Sequence, residues 1–390
     1  MNTVTPRKGK VIVSGILFWY PLAGVTYQIL HYLIGLRRLG YEVYYVEDSG
    51  RWVYDPVSNA LSPNAAGNVA AVAPSLEAHG FGGQWAFRGR YPDGKCYGLS
   101  TDQIDQLYDE ADALLNINGA QELLDEHMGR MRRIYVESDP FAFQVQIARG
   151  DAAAIRTAGS YHSLFSYGEN LGAADCSVPV VRFKWMPTRQ PVALNLWTNP
   201  FDGGERYRTI TTWSNSESEI AYNGQTYYWT KDREFEKVLQ LPMRSAAKYE
   251  LAAGVDDDVK DMLSSHGWNH VDSVEISRGL QCYRTYIQTS RAEFTVARDQ
   301  YVRPMTGWFS DRSACFLAAG RPVITQETGF SKYLPTGKGL FAFRTVEDIL
   351  AAVDAIETDY HGHCRTAREI ACEYFGAEKV LGSLMGRAGL

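Results

Sequence analysis

Gly307-Trp-Phe-Ser-Asp-Arg-Ser-Ala-Cys-Phe-Leu-Ala-Ala-Gly-Arg-Pro-Val-Ile-Thr-Gln-Glu-Thr-Gly329 reads as loop, helix, tight turn, buried strand and polar loop. Ser310 or Asp311 is placed to cap the helix by accepting N–H groups of its first turn. Ala314, Leu317 and Ala318 form an apolar stripe of small side chains suited to close packing on a sheet. Gly320 supplies the left-handed residue that ends the helix, and Pro322 stops its continuation. Val323, Ile324 and Thr325 are β-branched and read as a strand. The helix starts beside Arg312, and a helix N-terminus with an arginine next to it is a ready anion site. Gln326, Glu327, Thr328 and Gly329 leave the far end of the strand, where open α/β sheets bind ligands. A phosphate site next to a hydroxyl-reading loop suggests a sugar nucleotide.

The rest of the chain repeats this alternation. Val11–Ser14 is a strand, 15–24 a long loop, and Val25–Leu39 a helix with apolar Ile29, Tyr32, Leu33 and Leu36 at helical spacing. Tyr41–Val46 is the next strand, which makes a right-handed βαβ unit. No Gly-x-Gly-x-x-Gly follows the first strand, which argues against a nicotinamide-dependent enzyme. Further strands are expected at Ala113–Ile117, Arg133–Val136 and Tyr161–Tyr167, with helices at 66–79 and from Thr101 to Asp112. Residues 84–90 read as an extended insertion. Three polar clusters, Asn118-Gly119, Glu137-Ser-Asp139 and Gly168-Glu-Asn170, close strands on one sheet edge, as a binding cleft requires. The Pro- and Trp-rich stretch Pro179–Pro200 reads as a linker. Beyond it, strands are expected at Thr209–Trp213, Val271–Ile276 and Ala292–Ala297. Helices are expected from Phe235, at Ile349–Ile356 and at Ala367–Phe375.

Composition sets limits. A chain of 390 residues fits two domains of about 150 to 200 residues better than one core. A net charge of −6 argues against nucleic acid as a general partner, since phosphate backbones select basic surfaces. One bound nucleotide needs only a local positive site. The six cysteines are scattered without a Cys-x-x-Cys pair, so free thiols and a cytoplasmic setting are expected. The run Arg7-Lys-Gly-Lys10 followed by apolar residues has the outline of a secretory leader, but it runs straight into the amphipathic helix and reads better as a first strand. No apolar run reaches the roughly 20 residues that span a bilayer.

Residues 312–329 resemble the donor-site segment of nucleotide-sugar glycosyltransferases with the GT-B fold. The resemblance implies two Rossmann-like domains facing each other across a cleft. An acceptor domain would span 1–200, a donor domain 201–375, and the last helix, 376–386, would cross back onto the first domain with 376–390. Many retaining members carry Glu-x7-Glu, whose second glutamate holds the donor ribose. Here those positions are Gly307 and Cys315, and the hydroxyl contact would fall to Glu327. The resemblance implies sugar transfer from a nucleoside diphosphate donor, with no metal and no further cofactor. Lys231 would neutralise the leaving diphosphate, and Arg312 with the helix start at Ser310, Asp311 and Ser313 would hold the donor. Gln326, Glu327, Thr328 and Gly329 would read sugar or ribose hydroxyls. Gly24, Asn118 and Asn170 would face the acceptor, and Asp139, Glu169 or His162 would serve as a base. An epimerase or hydrolase of the same fold and a non-catalytic sugar-nucleotide binder remain as alternatives. His361-Gly-His363 with Cys364 has poor spacing for a metal.

Overall fold

A computed structural model describes residues 8–56, 58–90, 94–214 and 218–390; Arg7 of the basic run lies outside them. The chain opens with β1 (Lys10–Ser14), α1 (Ala23–Arg38) and β2 (Glu42–Asp48). The short hairpin β3 (Val53–Asp55) and β4 (Ala60–Ser62) precedes α2 (Ala66–Ala78), β5 (Trp85–Arg88) and β6 (Cys96–Gly98). Then come α3 (Thr101–Glu110), β7 (Ala113–Ile117), β8 (Arg132–Glu137), α4 (Ala142–Ala148), α5 (Ala152–Gly159), β9 (Ser163–Ser166) and β10 (Trp185–Pro187). These strands form one eight-stranded sheet in the order β10-β9-β8-β7-β1-β2-β5-β6, apart from the β3–β4 hairpin. Its pairs are parallel except β5 with β6.

The second half begins with β11 (Arg206–Thr212), the hairpin β12 (Ile220–Tyr222) and β13 (Gln225–Tyr227), α6 (Asp232–Glu236), α7 (Leu241–Arg244) and β14 (Lys248–Gly254). It continues with α8 (Asp257–Ser265), β15 (Asn269–Val271), α9 (Ser273–Ser277), α10 (Leu280–Gln288), β16 (Ala292–Thr295) and α11 (Asp299–Val302). The last elements are α12 (Asp311–Ala318), β17 (Val323–Gln326), β18 (Leu340–Phe343), α13 (Val346–Thr358), α14 (Tyr360–Ile370), a π-helical turn and α15 (Ala377–Arg387). Here the sheet is six parallel strands in the order β15-β14-β11-β16-β17-β18.

Several local readings shift for physical reasons. Val271–Ile276 is not one strand. Asp272 Oδ1 accepts the Val274 amide at 2.7 Å, and that cap turns the chain into α9. The 84–90 insertion is a sheet strand, because β5 pairs in register with β2. The 179–200 linker gives the first sheet its edge strand β10 and then buries Trp197 completely. Strand β14, bonded on both sides, lies in a stretch whose hydrophobic pattern alone did not mark it.

The two sheets share one hydrophobic cluster. It runs from Val11 and Val13 of β1 through α1 and Trp197 to Phe309, Phe316, Phe330, Phe375 and Leu381. Helix α1 is buried along most of its length because it packs on its own sheet, on α15 and on α10. Tyr27 Oη donates to the Leu280 carbonyl at 3.1 Å, and Trp197 Nε1 donates to His31 Nε2 at 2.9 Å. Burial pulls the His31 pKa down to about 3, so it serves as a neutral acceptor. At Gly35, a Cβ would lie 2.8 Å from the Ala377 Cβ and 2.6 Å from Leu381 Cδ1. Alanine is normally the better helix former, but Gly35→Ala is expected to cost about 1–3 kcal/mol through overpacking. Urea unfolding measures this; a neutral or stabilising result would show that α15 docks loosely.

Candidate functional site

A cavity of about 380 Å³ opens between the two sheets. One wall is the loop before α1 and that helix's first turns, with Leu22, Gly24, Val25 and Gln28. The other wall is built from the carboxyl ends of the second sheet: Ile210 to Thr212 of β11, Lys231, Ser273 and Ser277, and Arg298 and Trp308 after β16. The start of α12, with Ser310, Asp311 and Arg312, and Tyr283 of α10 complete it. Two larger surface cavities, of about 550 and 640 Å³, lie at the opposite, amino-terminal edge of that sheet beside Arg321 and Lys248. Ligands of open α/β sheets bind at the carboxyl edge, so the interlobe cavity is the candidate site.

Its electrostatics centre on Lys231. The residue is 6% exposed, and its Nζ has no hydrogen bond or ion pair among the described residues. Burial and the charges of Arg312 and Arg298 push its pKa well below the lysine range. An unpaired buried amine is costly unless something else gains from it. Beside it, Arg298 donates from Nη1 to Asp139 Oδ1 at 2.8 Å and to Tyr301 Oη at 2.7 Å. Its guanidinium carbon lies 3.5 Å from the centre of the Trp229 ring. Asp139 also accepts from Tyr301 and from Ser138 Oγ.

Arg312 lines the cavity but spends its guanidinium inward. Nε pairs with Glu293 Oε1 at 2.5 Å, Nη1 donates to the Ile210 carbonyl at 2.6 Å and Nη2 to Thr295 Oγ1 at 2.8 Å. The anion site expected on this side chain is therefore occupied by the protein's own carboxylate. Ser310 is the N-cap of α12 but its hydroxyl caps nothing, and Ser313 Oγ is buried without a partner. Asp311 accepts from Gln28 Nε2 at 3.3 Å and belongs to no ion pair among the described residues. Burial raises its pKa to about 7.

The turn after β17 also differs from expectation. Gln326 accepts the Ala297 amide at 3.1 Å and donates to Glu234 at 2.6 Å. Glu327 accepts from the Gly329 amide and Ser331 Oγ, and Thr328 Oγ1 donates to the Trp308 carbonyl. Gln326 through Gly329 thus form a self-satisfied prop under the 305–308 loop and line no part of the cavity. Asn170 belongs to the same prop. Its amide donates to Thr306, its Nδ2 to the Met305 carbonyl at 2.8 Å, and its Oδ1 accepts from Tyr333 Oη at 2.9 Å. Gly307 has φ +79°, and a Cβ there would strike the Asn170 nitrogen at 2.5 Å, so the close approach requires glycine.

The three base candidates separate. Asp139 reaches the cavity through Arg298. Glu169 pairs with Arg189 at 2.5 Å and faces a different crevice with Arg387 and Tyr374. His162 precedes β9, at the edge of the first sheet away from the cleft, and its Nδ1 accepts the Arg133 amide at 3.0 Å. Gly24 lines the cavity; Asn118 stands behind it, its Nδ2 3.5 Å from Gln28 Oε1. Arg298, Trp308, Gln28 and the Ser273–Ser277 turn were not singled out from sequence. Arg298 had a usable signal, since it follows a buried strand just as Glu327 does. His363 Nδ1 accepts the Gly339 amide at 3.0 Å, a backbone role in the His361–Cys364 stretch.

Arg312→Ala is expected to destabilise the protein by about 3–5 kcal/mol, because it strands the fully buried Glu293 carboxylate. Denaturant unfolding reads this out; a loss under about 1 kcal/mol would mean the pair is dispensable.

Several solved glycosyltransferases align with this chain along nearly its whole length. One is an α-glucosyltransferase solved with UDP-glucose and DNA containing an abasic site, at TM-score 0.60 and 8% identity over 97% of this chain and 99% of that one. AviGT4, a glycosyltransferase involved in avilamycin A biosynthesis, aligns at TM-score 0.54 and 10% identity over 97% of each chain. Anabaena Alr3699/HepE, solved with UDP and glucose, aligns at TM-score 0.54 and 10% identity over 98% of this chain and 99% of that one. No family model matches the sequence, and no curated protein matches it. At this identity the likeness speaks for architecture: the chain has the GT-B fold shared by these glycosyltransferases.

Proposed function

We propose that the protein is a glycosyltransferase that moves a sugar from a nucleoside diphosphate donor to an acceptor nucleophile without a bound metal. The observation that carries this reading is Lys231, an unpaired amine buried in an interlobe cavity beside a second cation, Arg298. A diphosphate supplies the missing counter-charge. The donor would lie along the cavity in the order of the strands. The nucleoside would lie by β15, against Ser273 and Ser277. The diphosphate would lie by β11 and Lys231, and the sugar by β16 and α12, against Arg298, Trp308 and Asp311. As the bond from the anomeric carbon to the phosphate oxygen breaks, negative charge grows on the leaving diphosphate, where Lys231 and Arg298 stabilise it. The new bond forms from that carbon to the acceptor, whose proton passes to a phosphate oxygen or to a base. Asp139 keeps Arg298 in place. Residues 1–200 with 376–390 would form the acceptor domain and 201–375 the donor domain.

The protein would work in the cytoplasm, a setting that suits its six free cysteines. Among the described residues no helix is long and apolar enough to cross a membrane. An epimerase or hydrolase of the same fold would hold the donor in the same way, and a hydrolase would consume it without acceptor.

A thermal-shift panel of nucleoside diphosphates and their sugars is expected to show stabilisation by at least one of them. Lys231→Met should raise the melting temperature of the ligand-free protein and weaken donor binding by about tenfold to a hundredfold, the equivalent of about 1.5–3 kcal/mol for a charge-assisted contact. If the variant responds to donor like the wild type, Lys231 is not the diphosphate contact. UDP-glucose should bind more weakly at pH 8.5 than at pH 6. Lys231, with its lowered pKa, must gain a proton to meet the diphosphate, and Asp311 loses one through about 7. Calorimetric affinity that is flat or rises with pH would contradict that linkage.

A further inference from the structure

We propose that Asp311 makes the sugar end of the cavity selective for uncharged, hydroxyl-bearing donor sugars and rejects hexuronates. The inference rests on the donor reading above and adds the class of sugar.

The carboxylate lines the cavity that Lys231 also lines, and among the described residues it belongs to no ion pair. Its side-chain partner among the described residues is Gln28 Nε2 at 3.3 Å, across the cleft on α1. One carboxylate oxygen therefore keeps its lone pairs for a ligand, and a sugar hydroxyl is the donor that suits them. Arg298 and Arg312 already have their charges balanced by carboxylates, although Arg298 Nε keeps no partner among the described residues. Arg298 is held by Asp139 and Tyr301, and Arg312 by Glu293. Lys231 lies toward β11, where the diphosphate would sit. The groups that feel the Asp311 charge are Tyr32 of α1, Asp139 after β8, Tyr167 after β9, Tyr283 of α10 and Cys315 of its own helix. Arg312, the next residue on that helix, also acts on Asp311, and Glu293 balances its charge. A hexuronate placed here would put a second carboxylate against Asp311, with Asp139 behind it, and like charges that close repel. Asp311 is the carboxyl that α12 presents to the cavity.

The test is isothermal calorimetry with UDP, UDP-glucose and UDP-glucuronate on the wild type and on Asp311→Asn. The wild type should bind UDP-glucose at least about tenfold more tightly than UDP-glucuronate, and the gap should widen from pH 6 to pH 8 as Asp311 ionises. Asp311→Asn keeps the shape and a hydrogen-bonding group but removes the charge. It should shrink the ratio to within about threefold while UDP itself binds at least as tightly as before. The wild-type ratio and its pH trend stand as measurements even if the variant folds poorly. UDP binding with equal affinity for both conjugates, or an unchanged ratio in Asp311→Asn, overturns the sugar assignment and leaves the donor cavity standing. Failure of all three compounds to bind the wild type overturns the donor reading, and this inference with it.

Discussion

The fold depends on helix α1 being buried on more than one side. A helix with a single apolar face can cover one sheet and leave its other face in water. Here Ile29, Leu33 and Leu36 serve the first sheet, Gly35 admits Ala377 and Leu381 of α15, and Tyr27 and His31 reach α10 and Trp197. The halves of the chain are therefore joined through a continuous apolar core. Interiors packed at crystal-like density do not deform smoothly, so that core fixes the walls of the cleft against each other.

That rigidity gives the cavity its electrostatic character. Asp139 comes from the first sheet and Arg298 from the second, and their contact at 2.8 Å crosses the cleft. Asn170 ties the first sheet to the 305–308 loop at a point where Gly307 admits no side chain. Between these two fastenings the pocket cannot collapse onto Lys231, so an amine that would otherwise find a partner remains without one. The two shifted groups also balance. Burial drives Lys231 toward its neutral form and Asp311 toward its protonated form, and both changes lower the charge held in the cavity.

Most of the framework was legible from side-chain chemistry alone. The β-branched runs at 11–14 and 323–325 are strands for the reason sequence suggests, and Gly320 at φ +66° ends its helix as expected. Strand β14 was not legible, because Lys248–Gly254 mixes charged and small residues and is held by two neighbouring strands rather than by its own pattern. Asp272 was passed over as a cap, which turned α9 into an imagined strand extension. At the site, Lys231 was singled out by its place after a strand. Arg312 stands at a helix start and Gln326 and Glu327 at a strand end, yet their polar atoms are absorbed by Glu293, Glu234 and Ser331.

The sequence by itself determined the alternating α/β architecture, the absence of the dinucleotide glycine loop, and the loop–helix–strand segment at 307–329. Each is written in local spacing, since helix period, strand branching and turn glycines act over a few residues. Only the tertiary structure decided which charged groups face the cavity and which face each other. Whether a guanidinium is free depends on a carboxylate that may lie far along the chain, as Glu293 lies from Arg312 and Asp139 from Arg298. Those partners meet only when β16 enters its sheet and the two sheets close over α1, and no local pattern encodes that meeting.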